Sequence, residues 1–268
     1  MSSTRRVFGV DFSGARSAGD SIWIASGETG DGTFVIDECV PARELPDSAA
    51  PREECYRALT TFVEDRPDAI FGFDFPFGLP EDITAHRNWA SFVREFADTY
   101  DSPDHFHEVC KARGAKLPGD GVEYYRETET DADVPWCSYQ WRIRFQTYHG
   151  IGGFLAGFVE EESARILPMQ PPASDIPWVI EVCPSSTLKY HDLPRQGYKE
   201  TGAASEQRRA QIVEGLERDS LQLTDDVREM AIQDADGDAL DSVIAADATA
   251  RALEQNIRPV GVEGHIYV

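Results

Sequence analysis

The sequence predicts an α/β fold: one domain built on a mixed five-stranded sheet in the order 3-2-1-4-5, with helices on its faces. Two observations lead to this prediction. Short apolar runs alternate with segments of helical periodicity, and three strand-like runs precede the first helix and the fourth strand. The length of 268 residues suits one such core carrying an insertion.

The first three strands are predicted at RRVFGVDF, SIWIASG and TFVIDECV. Glycine-rich stretches separate them, and connections this short are typical of an antiparallel meander. The segment PREECYRALTTFVEDRPD then places Tyr56, Leu59 and Val63 at helical spacing behind a first-turn proline. The fourth strand is expected in AIFGFDFPFGLP, beside the first strand after a right-handed crossover.

The rest of the chain predicts an insertion followed by the second half of the domain. Residues 82–172 should form the insertion, with helices at about 85–96 and 142–159. The fifth strand is expected in IPWVIEVC, a helix with a capping box from Ser205 in SEQRRAQIVEGL, and a late helix in DADGDALDSVIAADATARALEQ. The tail GVEGHIYV is expected to add an edge segment.

Charge indicates the habitat of this protein more than its activity. The formal net charge is -23, and only four of the 25 basic residues are lysines, a balance that we expect of a halophile living in multimolar salt. The five cysteines never form a C-x-x-C pair, which argues against a zinc ribbon or a disulfide framework. With no apolar export signal and no run of about 20 apolar residues, we expect a cytoplasmic protein without a membrane span.

Acidic residues stand at the ends of three predicted strands: Asp11, Asp74 and Glu181. A buried ionised carboxylate is costly unless it is paired or bound to a cation, so three acids at equivalent positions suggest a shared metal. Asp238 and Asp241, three apart on the late helix, share one helical face and would complete the site. Oxygen ligands of this kind favour Mg²⁺ or Mn²⁺, and two such ions can promote an in-line phosphoryl displacement.

Five motifs together resemble the DUF429 family of ribonuclease H-like, RuvC-like predicted nucleases. They are GVDFSGA, FDFPFGLP, EVCPSSTLK, the stretch 199–209 and GDALDSVIAA. The resemblance implies a β-β-β-α-β-α fold and acidic catalytic residues, here Asp11, Asp74, Glu181, Asp238 and Asp241. The chain departs from the family after Glu181, where Ser185 stands in place of a further acid.

The function expected is divalent-metal-dependent hydrolysis of a phosphodiester, in nucleic acid or another phosphoester. Asp11, Asp74, Glu181 and Asp241 are the predicted metal ligands, while Lys199 and Arg209 are the predicted contacts for substrate phosphates.

Other interpretations stay open at the level of sequence. The chain could be a non-catalytic ribonuclease H-like binding module, or an actin-like phosphotransferase because GVDFSGA resembles a phosphate-binding hairpin. Glu181 could instead pair with an arginine, such as Arg144 or Arg209. The aromatic segment YYRETETDADVPWCSYQWRIRFQTYHG could stack nucleic-acid bases or pack a small core of its own.

Overall fold

The computed structural model describes residues 5–30, 32–218, 221–255 and 260–268. Within them the sheet has eight strands, seven of which follow the order β5-β6-β4-β1-β2-β3-β7, while β8 pairs with β6. The strands are β1 (Arg6–Asp11), β2 (Trp23–Gly30), β3 (Thr33–Pro41), β4 (Ala69–Phe73), β5 (Arg165–Ile166), β6 (Trp178–Val182), β7 (Leu221–Leu223) and β8 (Ile266–Tyr267).

The sheet is mixed, which confirms the predicted α/β class. The strands β1, β2 and β3 form an antiparallel meander, and β1, β4 and β6 run parallel to one another. The five predicted strands are neighbours in the order β3-β2-β1-β4-β6, but β5, β7 and β8 extend the sheet, so the predicted count of five is wrong. Two of these extra strands have two residues and the third has three, which is too short for a periodic signal.

The helices lie before, within and after the predicted insertion. They are α1 (Ala18–Ser21), α2 (Arg52–Glu64), α3 (Trp89–Arg94), α4 (Phe96–Thr99), α5 (Pro103–Gly114), α6 (Glu127–Ala132), α7 (Arg144–Gly150), α8 (Ala156–Glu161), α9 (Pro184–Tyr190), α10 (Ala203–Leu216), α11 (Asp225–Gln233) and α12 (Asp238–Ala252). A π-helical turn at Ile151–Leu155 joins α7 to α8, so the helix expected at about 142–159 is present with an irregular centre.

One local prediction is wrong. The helix α10 begins at Ala203 after Gly202, and Ser205 lies buried inside its first turn instead of capping it. Gly202 has a φ of 111°, a conformation that suits glycine, and this moves the start of the helix before the serine.

Two hydrophobic cores lie on opposite faces of the sheet. On one face, α2 and the insertion pack against β1 and β4, where Phe96 and Phe154 of the insertion join Phe8 and Phe73 in one buried cluster. On the other face, α9 to α12 cover the sheet. The segment 82–172 therefore shares its core with the first half of the sheet.

Helix α12 lies unusually close to β1 and β4 because glycines face it. A Cβ atom at Gly9 would lie 2.0 Å from the backbone nitrogen of Ala246, and one at Gly72 would lie 1.9 Å from Oγ1 of Thr249. Gly9 therefore allows the helix backbone to rest on β1, and Gly72 leaves room on β4 for the side chain of Thr249. Consequently the first turn of α12 stands over the carboxyl ends of β1 and β4. In the part of the chain that the structure describes, no helix is long and apolar enough to cross a membrane.

Candidate metal centre

Strand alternation brings two predicted acids to the α12 side of the sheet. Gly9 faces α12, so Asp11, two residues later and at the end of β1, points the same way. Gly72 and Asp74 repeat this relationship on β4. The backbone nitrogen of Asp74 also donates a hydrogen bond to the carbonyl of Val10 at 3.0 Å, which keeps the two strand ends together.

The carboxylates of Asp11, Asp74 and Asp241 converge. One oxygen from each lies within 4.8 Å of the others. Asp11 and Asp241 are buried, while Asp74 is half-buried. Three of the five predicted acids therefore meet, two from neighbouring strands and one from the first turn of α12.

Lys199 and Tyr198 neutralise and orient the third acid. The ammonium group of Lys199 forms an ion pair with Oδ2 of Asp241. The hydroxyl of Tyr198 donates to Oδ1 of the same carboxylate at 2.9 Å. Both oxygens of Asp241 are thus contacted from the loop before α10. Lys199, predicted as a phosphate contact, pairs with one of the acids in this structure.

Burial and repulsion from nearby acids raise the pKa of two of the clustered acids, Asp11 and Asp74. Burial, reinforced by Asp241 and opposed by Lys199, raises the pKa of Asp74 to about 7. Burial also raises the pKa of Asp11 well above its usual range, opposed by Lys199 and reinforced by Asp241 and the other nearby acids. Conversely, burial would lower the pKa of Lys199, but Asp241 and Asp11 raise it above its usual value.

Asp238 stands next to this cluster without joining it. It shares the first turn of α12 with Asp241, but it is not one of the three converging carboxylates. Burial raises the pKa of Asp238 to about 6, an effect that Lys199 opposes and Asp241 reinforces. This side chain can therefore change its protonation state near neutral pH.

The structure does not bring Glu181 into the cluster. In β6, Ile180 and Val182 pack on the α12 side, so Glu181 between them points to the opposite face. There Arg126 binds both of its oxygens, at 2.9 and 2.5 Å, and the backbone nitrogen of Phe77 donates to Oε2 at 2.9 Å. Glu181 does pair with an arginine, but with neither Arg144 nor Arg209.

Arg126 is the centre of a buried ionic group. Its side chain is fully buried, and its Nε lies 2.9 Å from Oε1 of Glu129. Burial alone would lower the pKa of Arg126, but Glu181 and Glu129 raise it above its usual value. This group ties α6 of the insertion to β6, and it lines the same pocket as the acids.

Arg209 lies away from the clustered acids. It is 2% exposed, and its guanidinium donates to the backbone carbonyls of Tyr198 and Ile232, both at 2.6 Å. In this position it holds the loop that carries Lys199, and the neighbouring Arg208 lines the pocket instead.

A cavity of about 1000 Å³ opens beside the carboxylates. Its wall includes Asp74 and Asp241, and it also includes the cationic side chains of Arg195, Lys199 and Arg208. Arg195 is fixed there by Asp133 at 2.7 Å and by the hydroxyl of Ser185 at 3.1 Å. Acidic and basic groups thus face one space that could hold a metal-bound phosphoester.

Tyr198 and Arg195 are not predicted as site residues from the sequence, and Arg126, a candidate phosphate contact of the aromatic segment, binds Glu181 instead. Tyr198 adjoins the predicted Lys199, but no spacing rule connects a loop tyrosine to an acid on a later helix. Arg126 and Arg195 stand in segments without regular periodicity, so their partners become apparent only in three dimensions.

The donor set has the chemistry that a hard divalent cation requires. All three groups are carboxylates, and together they carry more charge than Lys199 neutralises when they are ionised. Neighbouring ligands of an octahedral Mg²⁺ lie about 3.0 Å apart and opposite ligands about 4.2 Å apart, since each Mg–O bond is about 2.1 Å. Only one pair among three ligands can be opposite, so oxygens separated by up to 4.8 Å must move closer by up to about 2 Å, or one of them must bind through a water.

No protein-family model, curated protein or solved structure matches this chain. Membership of the DUF429 family therefore stays a prediction from the motifs, and function must be argued from the site.

Proposed function

We propose that this protein is a divalent-metal-dependent phosphodiester hydrolase whose metal, Mg²⁺ or Mn²⁺, is held by Asp11, Asp74 and Asp241. The observation that carries this proposal is the convergence of three carboxylates from β1, β4 and α12 within 4.8 Å. It is supported by the adjoining cavity, which offers cationic side chains for a phosphate group.

The residues around the acids can divide the work of hydrolysis. A bound metal would lower the pKa of a coordinated water and offset charge on the phosphate. Asp11, Asp74 and Asp241 bind in their ionised forms. Asp238, outside this set and with a pKa of about 6, is suited to accept the proton of the attacking water. Lys199, Arg195 and Arg208 are positioned to contact phosphate oxygens.

The sheet supports the finer proposal of a ribonuclease H-like core. An antiparallel β1–β2–β3 meander, the helix α2 and two parallel strands, β4 and β6, follow one another in the manner expected of that fold. We treat β5, β7 and β8 as additions at its edges.

Calorimetric titration with Mn²⁺ in 2 M KCl tests the metal site. The wild type should bind, whereas Asp11→Asn and Asp241→Asn should each weaken binding at least tenfold. Asp226→Asn is the matched control, because Asp226 is an exposed acid on α11. Binding that is absent, or that is equally strong in Asp11→Asn and the control, would contradict the proposal.

Hydrolysis of bis-p-nitrophenyl phosphate with Mn²⁺ tests the reaction itself. Turnover should require the metal and should disappear in Asp74→Asn while persisting in Asp226→Asn. ATP turnover dependent on Asp11, without diester hydrolysis, would favour the phosphotransferase instead.

A second candidate is a non-catalytic binding module. Two ion pairs favour it, because Lys199 already neutralises Asp241 and Arg126 already binds Glu181. In that case the wild type should bind no Mn²⁺, and Asp241→Asn should change only stability.

A further inference from the structure

Three aromatic side chains of the insertion are exposed close to the candidate metal centre. Trp136, Trp141 and Phe145 are 37, 55 and 41% exposed, and we name them the aromatic surface. Most other aromatic side chains of the insertion are packed in the core, including Phe96, Phe106 and Phe154 in one cluster. Side chains of this size at the surface lose the benefit of burial, so they indicate a contact site.

Guanidinium groups lie over all three rings. The guanidinium of Arg144 lies 3.3 Å from the ring centroid of Trp141 and 4.5 Å from that of Phe145. Arg144 is itself buried and held by Asp104 at 2.6 Å. Arg142 lies 4.7 Å from the ring of Trp136. The rings are therefore stacked on cations instead of projecting freely.

The aromatic surface adjoins the pocket. Trp136 lines the pocket together with Asp74 and Asp241. Farther along, the side chain of Gln146 donates a hydrogen bond to the carbonyl of Asp74, and the backbone of Phe145 packs against Gly14, just after Asp11. The segment that carries Phe145 and Gln146 thus contacts the chain at or just after Asp74 and Asp11.

We propose that the aromatic surface binds the unpaired bases of single-stranded nucleic acid and leads its backbone to the carboxylates. This inference rests on the proposed function and names its substrate class. A chain with a net charge of -23 gains little from long-range attraction of phosphates. Stacking on aromatic rings supplies affinity that depends much less on salt.

The surface selects single strands over duplexes. Bases within a duplex stack on one another and do not expose their faces, whereas unpaired bases can lie against Trp and Phe rings. The local cations Arg142, Arg195 and Arg208 offer short-range contacts to the phosphates between such bases.

Fluorescence anisotropy in EDTA tests binding separately from hydrolysis. Labelled dT20, U20 and a 20-base-pair duplex are titrated with wild-type protein in 0.5 and 2 M KCl. At least one single strand should bind ten times more tightly than the duplex, and its affinity should fall less than tenfold between the two salt concentrations. The comparison of dT20 with U20 distinguishes DNA from RNA.

Substitutions locate the contact. Trp136→Ala and Trp141→Ala should each weaken binding about tenfold, as expected for the loss of one stacked base. Trp141→Phe should retain most of the affinity, because it keeps a ring. Tyr190→Ala, which removes a 63% exposed ring on α9, outside the insertion, is the control and should bind as the wild type does. Thermal melting of each variant establishes that it is folded.

Equal affinity for duplex and single strands, or unchanged binding in both alanine variants, would overturn this inference. Binding without metal-dependent hydrolysis would refute the proposed function and leave the aromatic surface supported. If single strands do not bind and hydrolysis is unaffected by the loss of either tryptophan, this inference would be refuted and the proposed function would be supported.

Discussion

Lys199 and Asp241 form an ion pair at the candidate metal centre, in which the carboxylate side chain is 4% exposed and the lysine side chain is 45% exposed. A cation supplied by the protein therefore partly balances acids that burial and repulsion drive towards protonation. This balance has consequences for stability that can be measured without any metal.

Replacing Lys199 by methionine should destabilise the metal-free protein by about 1–2 kcal/mol at pH 8, since a charged hydrogen bond to a buried acid is lost. The loss should be smaller at pH 5, because the neighbouring acids then bind protons and need the cation less. The folded and unfolded pKa values of the lysine itself both lie above this range, so its own titration plays no part. Urea unfolding at both pH values measures the difference.

Lys189→Met is the control for that experiment. Lys189 pairs with Asp133 where both side chains are 53% exposed, and its loss should destabilise the protein much less than the loss of Lys199, because water and salt screen the pair. If both variants lose the same free energy of unfolding at pH 8, the ion pair of Lys199 contributes no more to stability than an exposed pair does.

Asp74→Asn should stabilise the metal-free protein at pH 8. The pKa of Asp74 is about 7 in the folded chain and close to 3.8 when unfolded. The folded state therefore binds more protons between these values, and the wild type loses stability as the pH rises from about 4 to 7. The slope from this one group is at most about 1.4 kcal/mol per pH unit. Denaturant unfolding from pH 4 to 9 should show that the free energy of unfolding declines less with rising pH in the variant than in the wild type. Parallel curves for the two proteins would contradict this prediction.

Metal affinity should rise with pH if Asp74 is a ligand. Below its pKa of about 7 a proton competes with the cation, so Mn²⁺ should bind about tenfold more weakly at pH 6 than at pH 8. Calorimetry in two buffers of different ionisation enthalpy should detect proton release at pH 6 and much less at pH 8.5. Proton uptake on binding would exclude this account.

Arg126→Met should destabilise the protein by about 3–5 kcal/mol, because Glu181 and Glu129 would remain as buried carboxylates without their cation. Arg87→Met is the control, since Arg87 and its partner Glu81 are 82 and 58% exposed, and its effect should be near zero. Urea unfolding at pH 7 compares the two; the double variant Arg126→Met with Glu181→Gln should recover part of the loss.

The strands and the long helices could be predicted because their signals are local. Alternating burial and the G-x-D spacing of Gly9 and Asp11 are readable in the sequence, as is the three-residue spacing of Asp238 and Asp241. The convergence of Asp11 with Asp74 needed only the parallel arrangement of β1 and β4.

Glu181 could not be placed from its position near the end of a strand, because the face of the strand also matters. Its neighbour Ile180 packs on the α12 side, so Glu181 points to the opposite face. Phe73 packs away from α12, so Asp74 points towards it. The partner of Glu181, Arg126, comes from the insertion, where aperiodic sequence gives no indication of which side chain enters the core. The burial of Arg209 could not be predicted from its helix alone, because the carbonyl groups that it contacts belong to other segments.

Gly9 and Gly72 have no side chains, and this lets α12, which carries Asp241, lie close to the strands that end near Asp11 and Asp74. A methyl group at Gly9 would lie 2.0 Å from the backbone nitrogen of Ala246 and would force α12, with Asp241, away from β1 and Asp11. At Gly72 it would collide with the side chain of Thr249 instead. The distance between these carboxylates therefore depends on a buried strand position that contacts no ligand, where only a hydrogen atom fits against the helix.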